Sequence, residues 1–281
     1  MQSKLRVLSC VGPKGPAHTA SLFSRIQPSI DQHTTGLTFC KDFEEYEAIA
    51  DRHNFDVILV QLGTTHAGAV LKDQVTNSKA LKWVHSLSSG VDGYVACQEF
   101  RESNIPLTNA KGVFSGILGE FVAAGVLYHT KHLRRFMERQ IEHKWEIEPM
   151  DIVANKKMVV VGYGDIGAAC AKIAKNGFDM KVVGVKRNPK ECSDLYRSYV
   201  DDIVGITPAE YQGAISDADF VVGVLPKVAD TETFFSTEST FQYMKPSSVF
   251  MNIGRGPTCV EADLVQALKD KKIAGAVMDV F

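Results

Sequence analysis

Apolar residues in the first part of the chain gather in short runs. LRVLSCV (5–11), DVILVQL (56–62), KWVHSLS (82–88) and PLTNA (106–110) each fit a short buried strand. Between them lie helical patterns, DFEEYEAIADRH (42–53) and GYVACQEFRES (93–103). This alternation predicts βαβ units and a parallel sheet. From Gly116 to about His143 the pattern lengthens, apolar in its first half (ILGEFVAAGVLYH) and strongly basic in its second (KHLRRFMERQ), as expected of one helix that leaves one domain and enters another. A second series follows: KKMVVVGYG (156–164), MKVVGV (180–185), ADFVVGVLP (218–226), SSVFMNIG (247–254) and IAGAVMDVF (273–281), with helices between. The boundary is therefore expected just before the long helix, which gives domains 1–110 and 111–281. No internal repeat or low-complexity tract interrupts either series.

Composition narrows the function classes. The 281 residues are 45% hydrophobic and 23% charged, ordinary for a soluble globular protein with room for two domains. Lys plus Arg total 31 against 33 Asp plus Glu, so a net charge of −2 supplies no field to hold nucleic acid or an anionic membrane. The six cysteines, Cys10, Cys40, Cys97, Cys170, Cys192 and Cys259, form no CxxC pair, which suits reduced thiols in a cytoplasmic protein better than disulfides or a zinc site. The N-terminal apolar run is too short for a signal peptide, and no stretch reaches the length of a membrane span. His129 and His132 in HTKH have metal-like spacing, but no acid or thiolate is placed to complete a shell. They are expected to be exposed on a basic helix face, with no metal bound.

The first chemical signal is VVVGYGDIGAACAKIAKNG, where Gly162, Gly164 and Gly167 make GxGxxG between an expected strand and an expected helix. The first glycine permits a tight turn, the second lets backbone approach a pyrophosphate, and the third lets helix pack on strand. Asp165 and Ile166 would present their amides, at the positive end of a helix dipole, to the phosphates. An acid that bonds the ribose 2′-hydroxyl of NAD is expected about 20 residues on, at the end of the next strand. Here VVGVKRNP places Lys186 in that position with Arg187 beside it, and two cations favour the additional 2′-phosphate of NADP over NAD.

With these stretches in view, the chain resembles the D-isomer-specific 2-hydroxyacid dehydrogenases, a family that includes glyoxylate and hydroxypyruvate reductases and phosphoglycerate dehydrogenase. The likeness is carried by SSGVD (88–92), NAKGVFSGILGEF (109–121), VGYGDIG, LPKVADTETFF (225–235), MKPSSVFMNIGRG (244–256) and AGAVMDVF (274–281), in the family's order. It implies an α/β protein of two domains with parallel sheets. The first is flavodoxin-like and binds substrate, the second is a Rossmann domain for NAD(P), and the active site lies in the cleft between them. It also implies a homodimer built around the helix after Gly116, and a small 2-keto or 2-hydroxy acid as substrate.

By the same resemblance Arg255 grips the substrate carboxylate and polarises its carbonyl, a task suited to a planar fork of donors. Asp279 bonds the nicotinamide carboxamide. Ser89 and Gly90 bind the carboxylate through backbone amides, and Val113 closes the same pocket. Leu225 and Pro226 line the nicotinamide side. The family also uses a histidine as proton carrier and a glutamate to orient it, and both positions are expected after Phe281. The expectation is therefore a longer dehydrogenase of which these residues are part. Two other classes are weighed beside it: a non-catalytic dinucleotide-binding module that regulates a protein partner, and a relative acting on formate or phosphite.

Overall fold

Runs of β-branched residues become the strands of two parallel sheets in the computed structural model, which describes residues 4–10, 29, 31–60 and 66–281. Val11, Gln61 and Leu62, which entered the expectations above, lie outside the described residues. The chain divides into two compact units, Met1–Val113 and Phe114–Phe281.

In the first unit, strands β1 (Leu5–Cys10), β2 (Thr34–Cys40), β3 (Val57–Val60), β4 (Trp83–Ser86) and β5 (Leu107–Asn109) pair in the order β2-β1-β3-β4-β5. Every pair is parallel. Helices α1 (Phe43–Glu47), α2 (Ala67–Asn77), α3 (Asp92–Ala96) and α4 (Gln98–Arg101) accompany the sheet, and Leu8, Ile58, Tyr46, Leu71 and Tyr94 meet in its core.

Two expected helices are shorter than their patterns. The 42–53 segment is helical only to Glu47, then turns, and resumes as a single 3-10 turn at Arg52–Asn54. The 93–103 segment breaks at Cys97, which is extended (φ −75°, ψ 105°). Tyr94 and Phe100 are both buried there and stack edge to face at 6.2 Å. Six residues apart, they would point about 120° away from each other on one continuous helix, so the break lets both reach the core. Strand β2 was not expected: TTGLTFC is no apolar run, because this edge strand is mostly half-buried.

In the second unit, helix α5 (Ser115–Thr130) and helix α6 (Leu133–Ile141) replace the single helix expected from Gly116 to His143. His132 between them takes a left-handed conformation (φ 51°), and neither glycine nor proline marks the break in the sequence. Strands β6 (Lys157–Val161), β7 (Lys181–Val185), β8 (Asp202–Val204), β9 (Phe220–Gly223), β10 (Val249–Asn252) and β11 (Gly275–Met278) form an all-parallel sheet in the order β11-β10-β9-β6-β7-β8. Helices α7 (Asp165–Phe178), α8 (Asp194–Arg197), α9 (Pro208–Ile215) and α10 (Glu261–Lys269) connect them. Alternate residues of β6 feed two separate cores: Met158 and Val160 join one, Val159 and Val161 the other. Burial on both faces is why these strands appear in the sequence as unbroken apolar runs. The strand order reverses between β6 and β9, and in open parallel sheets ligands bind outside the carboxyl ends of strands at such a switch point.

Candidate functional site

The carboxyl edge of the six-stranded sheet carries the candidate site. Gly162 follows β6 directly with φ +96°, and a Cβ there would lie 2.7 Å from the carbonyl oxygen of Val224. Only glycine satisfies both the left-handed backbone and the close approach. Gly164 caps the N-terminus of α7, and a Cβ there would meet nothing within 4 Å, so the space above its backbone is open. At Gly167 a Cβ would come within 3.0 Å of Val160 and 3.1 Å of the Gly162 carbonyl, where α7 presses on β6. The three positions are thus a turn, an open backbone and a packing contact, the requirements that a pyrophosphate-holding loop places on them.

A pocket of about 320 Å³ opens beside this loop. Gly162, Gly164, Lys186, Arg187, Leu225 and Pro226 all line it. A more open concavity of about 650 Å³ continues from Lys186, Arg187 and Pro226 past Asn188 to Val228 and Asp230. Lys186 follows β7 directly, and its amide donates to Val204 O at 3.0 Å. Arg187 pairs with Asp230 at 3.4 Å across the pocket wall, both side chains being largely exposed.

Asp165, Ile166 and Gly167 do not line the pocket. Ile166 is half-buried against the core, and Gly167 lies in the helix–strand contact. Both oxygens of the Asp165 carboxylate accept hydrogen bonds, one from the Ser115 hydroxyl and one from the Tyr196 hydroxyl at 2.8 Å. The hydrogen bond to that carboxylate holds the phenolic proton and raises the pKa of Tyr196. The Tyr163 hydroxyl donates to Tyr196 O at 2.7 Å, and its ring covers Gly184, where a Cβ would lie 2.7 Å from the ring. Burial pushes the Tyr163 phenol up.

Arg255 and Asp279 stand farther along the same edge, outside the pocket. Arg255 follows β10 in a turn held by Asn252, whose side-chain amide donates to Arg255 O at 3.1 Å, and its own guanidinium donates to Gly254 O at 2.8 Å. A Cβ on Gly254 would lie 2.6 Å from Leu225 O, so this turn packs on the Leu225–Pro226 loop. Asp279 follows β11, exposed, with its amide bonded to Asn252 O at 2.9 Å. The carbonyl of Phe281 abuts Gly256.

Ser89, Gly90 and Val113 belong to the first unit. Ser89 and Gly90 lie in a loop after β4 that is tied by side chains. Asn109 donates to Ser89 O at 2.8 Å and the Ser88 hydroxyl to Gly90 O at 3.1 Å. Val113 is exposed.

The histidines need one correction. His129 and His132 are half-buried rather than exposed: the His129 ring packs against Gly275, and burial lowers its pKa. No histidine among the described residues lines the 320 Å³ pocket, and none of the described side chains forms a cluster able to hold a metal. Among these residues no helix is long and apolar enough to cross a membrane. The sequence did not single out Tyr163, Asp230, Thr231 and Phe234, which also line the pocket. A signal existed for Tyr163, since a glycine inside a strand, as at Gly184, marks a close approach. Asp230 and Phe234 sit in the LPKVADTETFF stretch with no period to single them out.

Comparison with known proteins agrees with this geometry. Residues 123–281 match the model of the D-isomer specific 2-hydroxyacid dehydrogenase NAD binding domain. A protein named probable 2-ketogluconate reductase from Dictyostelium discoideum is 33% identical over 224 residues, covering 76% of this chain and 64% of that protein. Glyoxylate/hydroxypyruvate reductase B from Salmonella gallinarum is 30% identical over 208 residues, covering 72% of this chain and 61% of that protein. The chain thus spans a little under two thirds of the length of these curated relatives. Among solved structures, a D-isomer specific 2-hydroxyacid dehydrogenase family protein from Aeromonas salmonicida superposes with a TM-score of 0.78 at 26% identity, over 99% of this chain and 82% of that one. An NADPH-dependent glyoxylate/hydroxypyruvate reductase from Sinorhizobium meliloti, solved with NADP and sulfate, shares the fold at a TM-score of 0.75 and 22% identity, over 99% and 81%. With a glycine loop at the switch point of a parallel sheet, an NIGRG turn on the same edge, and a family model matched over residues 123–281, more than half of its length, this chain belongs to the D-isomer specific 2-hydroxyacid dehydrogenase family.

Proposed function

We propose that the protein is an oxidoreductase that transfers a hydride between NAD(P)H and a small 2-keto acid, giving the D-2-hydroxy acid, or the reverse. The observation that carries the reading is the glycine loop, with its open backbone at Gly164 beside a pocket walled by Lys186 and Arg187. The second unit is the cofactor domain in this reading. Gly162 and Gly164 shape the phosphate cradle, Asp165 and Ile166 turn their amides to it at the start of α7, and Gly167 seats that helix. Lys186 and Arg187 favour NADP over NAD, and Leu225 and Pro226 face the nicotinamide side. When bound, the cofactor supplies the hydride. The chain's own residues orient it and the substrate: Asp279 fixes the carboxamide, and Arg255 holds the substrate carboxylate and steadies the charge that develops on the carbonyl oxygen. The first unit is the substrate domain in this reading, with backbone amides at Ser89 and Gly90 for the carboxylate and the Val113 side chain assigned to the same substrate.

Two further assignments belong to this reading. Exposed Trp145 (93%), Ile147 (94%), Ile141 (79%) and Ile152 (68%) on and after α6 form an apolar arm suited to a second copy of the chain, in a homodimer. Six free cysteines suit a cytoplasmic location.

The test is oxidation of NADPH and NADH with glyoxylate, hydroxypyruvate and 2-ketogluconate by the whole product of the gene, with cofactor binding measured alongside by calorimetry. Turnover that Arg255→Gln reduces by about 10²–10³ supports the reading. Saturable cofactor binding with no turnover would replace the enzyme with a dinucleotide-binding module.

A further inference from the structure

We infer that Asp230 is a selectivity residue that balances NADH against NADPH, a deepening of the cofactor assignment above. The position at the end of β7 where a carboxylate would accept the ribose 2′-hydroxyl holds Lys186 instead. Asp230 stands on the opposite wall and lines both the enclosed pocket and its open continuation, within 3.4 Å of Arg187. Its placement is set by a tight turn. Thr231, buried at 8% exposure, accepts from the Val228 amide at 3.1 Å through its hydroxyl, and that hydroxyl donates to Pro226 O at 2.5 Å. The Thr231 and Glu232 amides close the turn on Val228 O at 2.9 and 3.1 Å.

Two opposed consequences follow. For NADH, Asp230 is the acceptor that β7 lacks, reaching the 2′-hydroxyl from across the pocket. For NADPH the same carboxylate repels the 2′-phosphate and competes with it for Arg187. The Arg187–Asp230 pair is long for an N–H···O bond and largely exposed, with side chains 62% and 79% accessible, so Arg187 exchanges one anion for the other at little cost. One carboxylate therefore supports NADH and opposes NADPH, while one guanidinium supports NADPH.

Calorimetric titration of NADH and NADPH into the 281-residue chain tests this in the wild type, Asp230→Asn, Asp230→Glu and Arg187→Ala. Asp230→Asn should weaken NADH about threefold and tighten NADPH about threefold, a shift of roughly tenfold in their ratio, as expected for single exposed charges. Asp230→Glu should keep the wild-type ratio to within about twofold, and Arg187→Ala should weaken NADPH alone. Equal changes for both cofactors in Asp230→Asn, or an unchanged ratio, overturn the assignment while the dinucleotide reading stands. A wild-type chain that binds neither cofactor overturns both.

Discussion

The two units use the same strand-helix grammar, yet they invest buried polar groups differently. In the second unit the distinctive chemistry gathers at the carboxyl edge of the sheet, where Gly162 accepts a left-handed backbone and Gly164 leaves open space. In the first, a polar cluster binds helix to turn: Asp73 on α2 receives hydrogen bonds from Tyr46, from His53 at 2.7 Å and from Asn77 at 2.7 Å, while Gln74 donates to the Tyr46 hydroxyl at 2.7 Å. One group of residues shapes the candidate site, and the other holds the fold. Substitutions should separate the two.

Gly162→Ala should have the largest effect. A residue with a Cβ must adopt φ +96° and meet Val224 O, so backbone strain alone costs on the order of 1–3 kcal/mol. The melting temperature of the second unit should fall by roughly 5 °C, with loss of cofactor binding. Asp73→Ala comes next. It strands Tyr46 and His53 and costs about 2 kcal/mol in the first unit, leaving NADPH affinity unchanged. Each unit holds one tryptophan, Trp83 in the first and Trp145 in the second, so Trp145→Phe leaves Trp83 fluorescence as the reporter of the first unit.

Asp73 also gives that unit an acid dependence. Burial pushes its carboxyl up, but hydrogen bonds from Tyr46, His53 and Asn77 outweigh this and hold it below the ordinary 3.8. A carboxylate whose pKa is depressed by folding contributes stability above its unfolded pKa and loses it as pH falls through the folded one. The Trp83-reported stability should therefore decline below pH 3.8 in the wild type, and this part of the decline should vanish in Asp73→Ala.

Gly164→Ala should act on binding alone. Its Cβ has room in the protein but stands where a phosphate would approach, so NADPH should weaken about tenfold or more with an unchanged melting temperature. The smallest effect is expected of Lys186→Ala: a threefold loss of NADPH affinity or thereabouts, shrinking further at high salt, measured by titration at two ionic strengths.

The same contrast explains what could be read from the sequence. Strands β6, β7, β9 and β10 were plain because both faces are buried, whereas β2 and β8 were hidden because edge strands have mixed burial and β8 is three residues long. Helix existence was legible and helix continuity was not: the break at Cys97 follows from where Tyr94 and Phe100 pack in space, and no local residue type signals the one at His132. Glycines that meet one strand-to-helix turn are local in sequence, and so were Leu225 and Pro226, which line the same pocket. Asp230 lies 43 residues from Arg187, and only the fold brings them together. The anchoring of Asp165 by Ser115 and Tyr196 was invisible for the same reason.

The most direct measurement is a calorimetric titration of NADPH into the wild-type chain and into Gly164→Ala, with melting temperatures recorded for both. One saturable site in the wild type, weakened about tenfold or more in an equally stable variant, is the expected result. No binding by a folded wild-type chain, or equal binding by the two, would contradict the assignment of the glycine loop as a dinucleotide site.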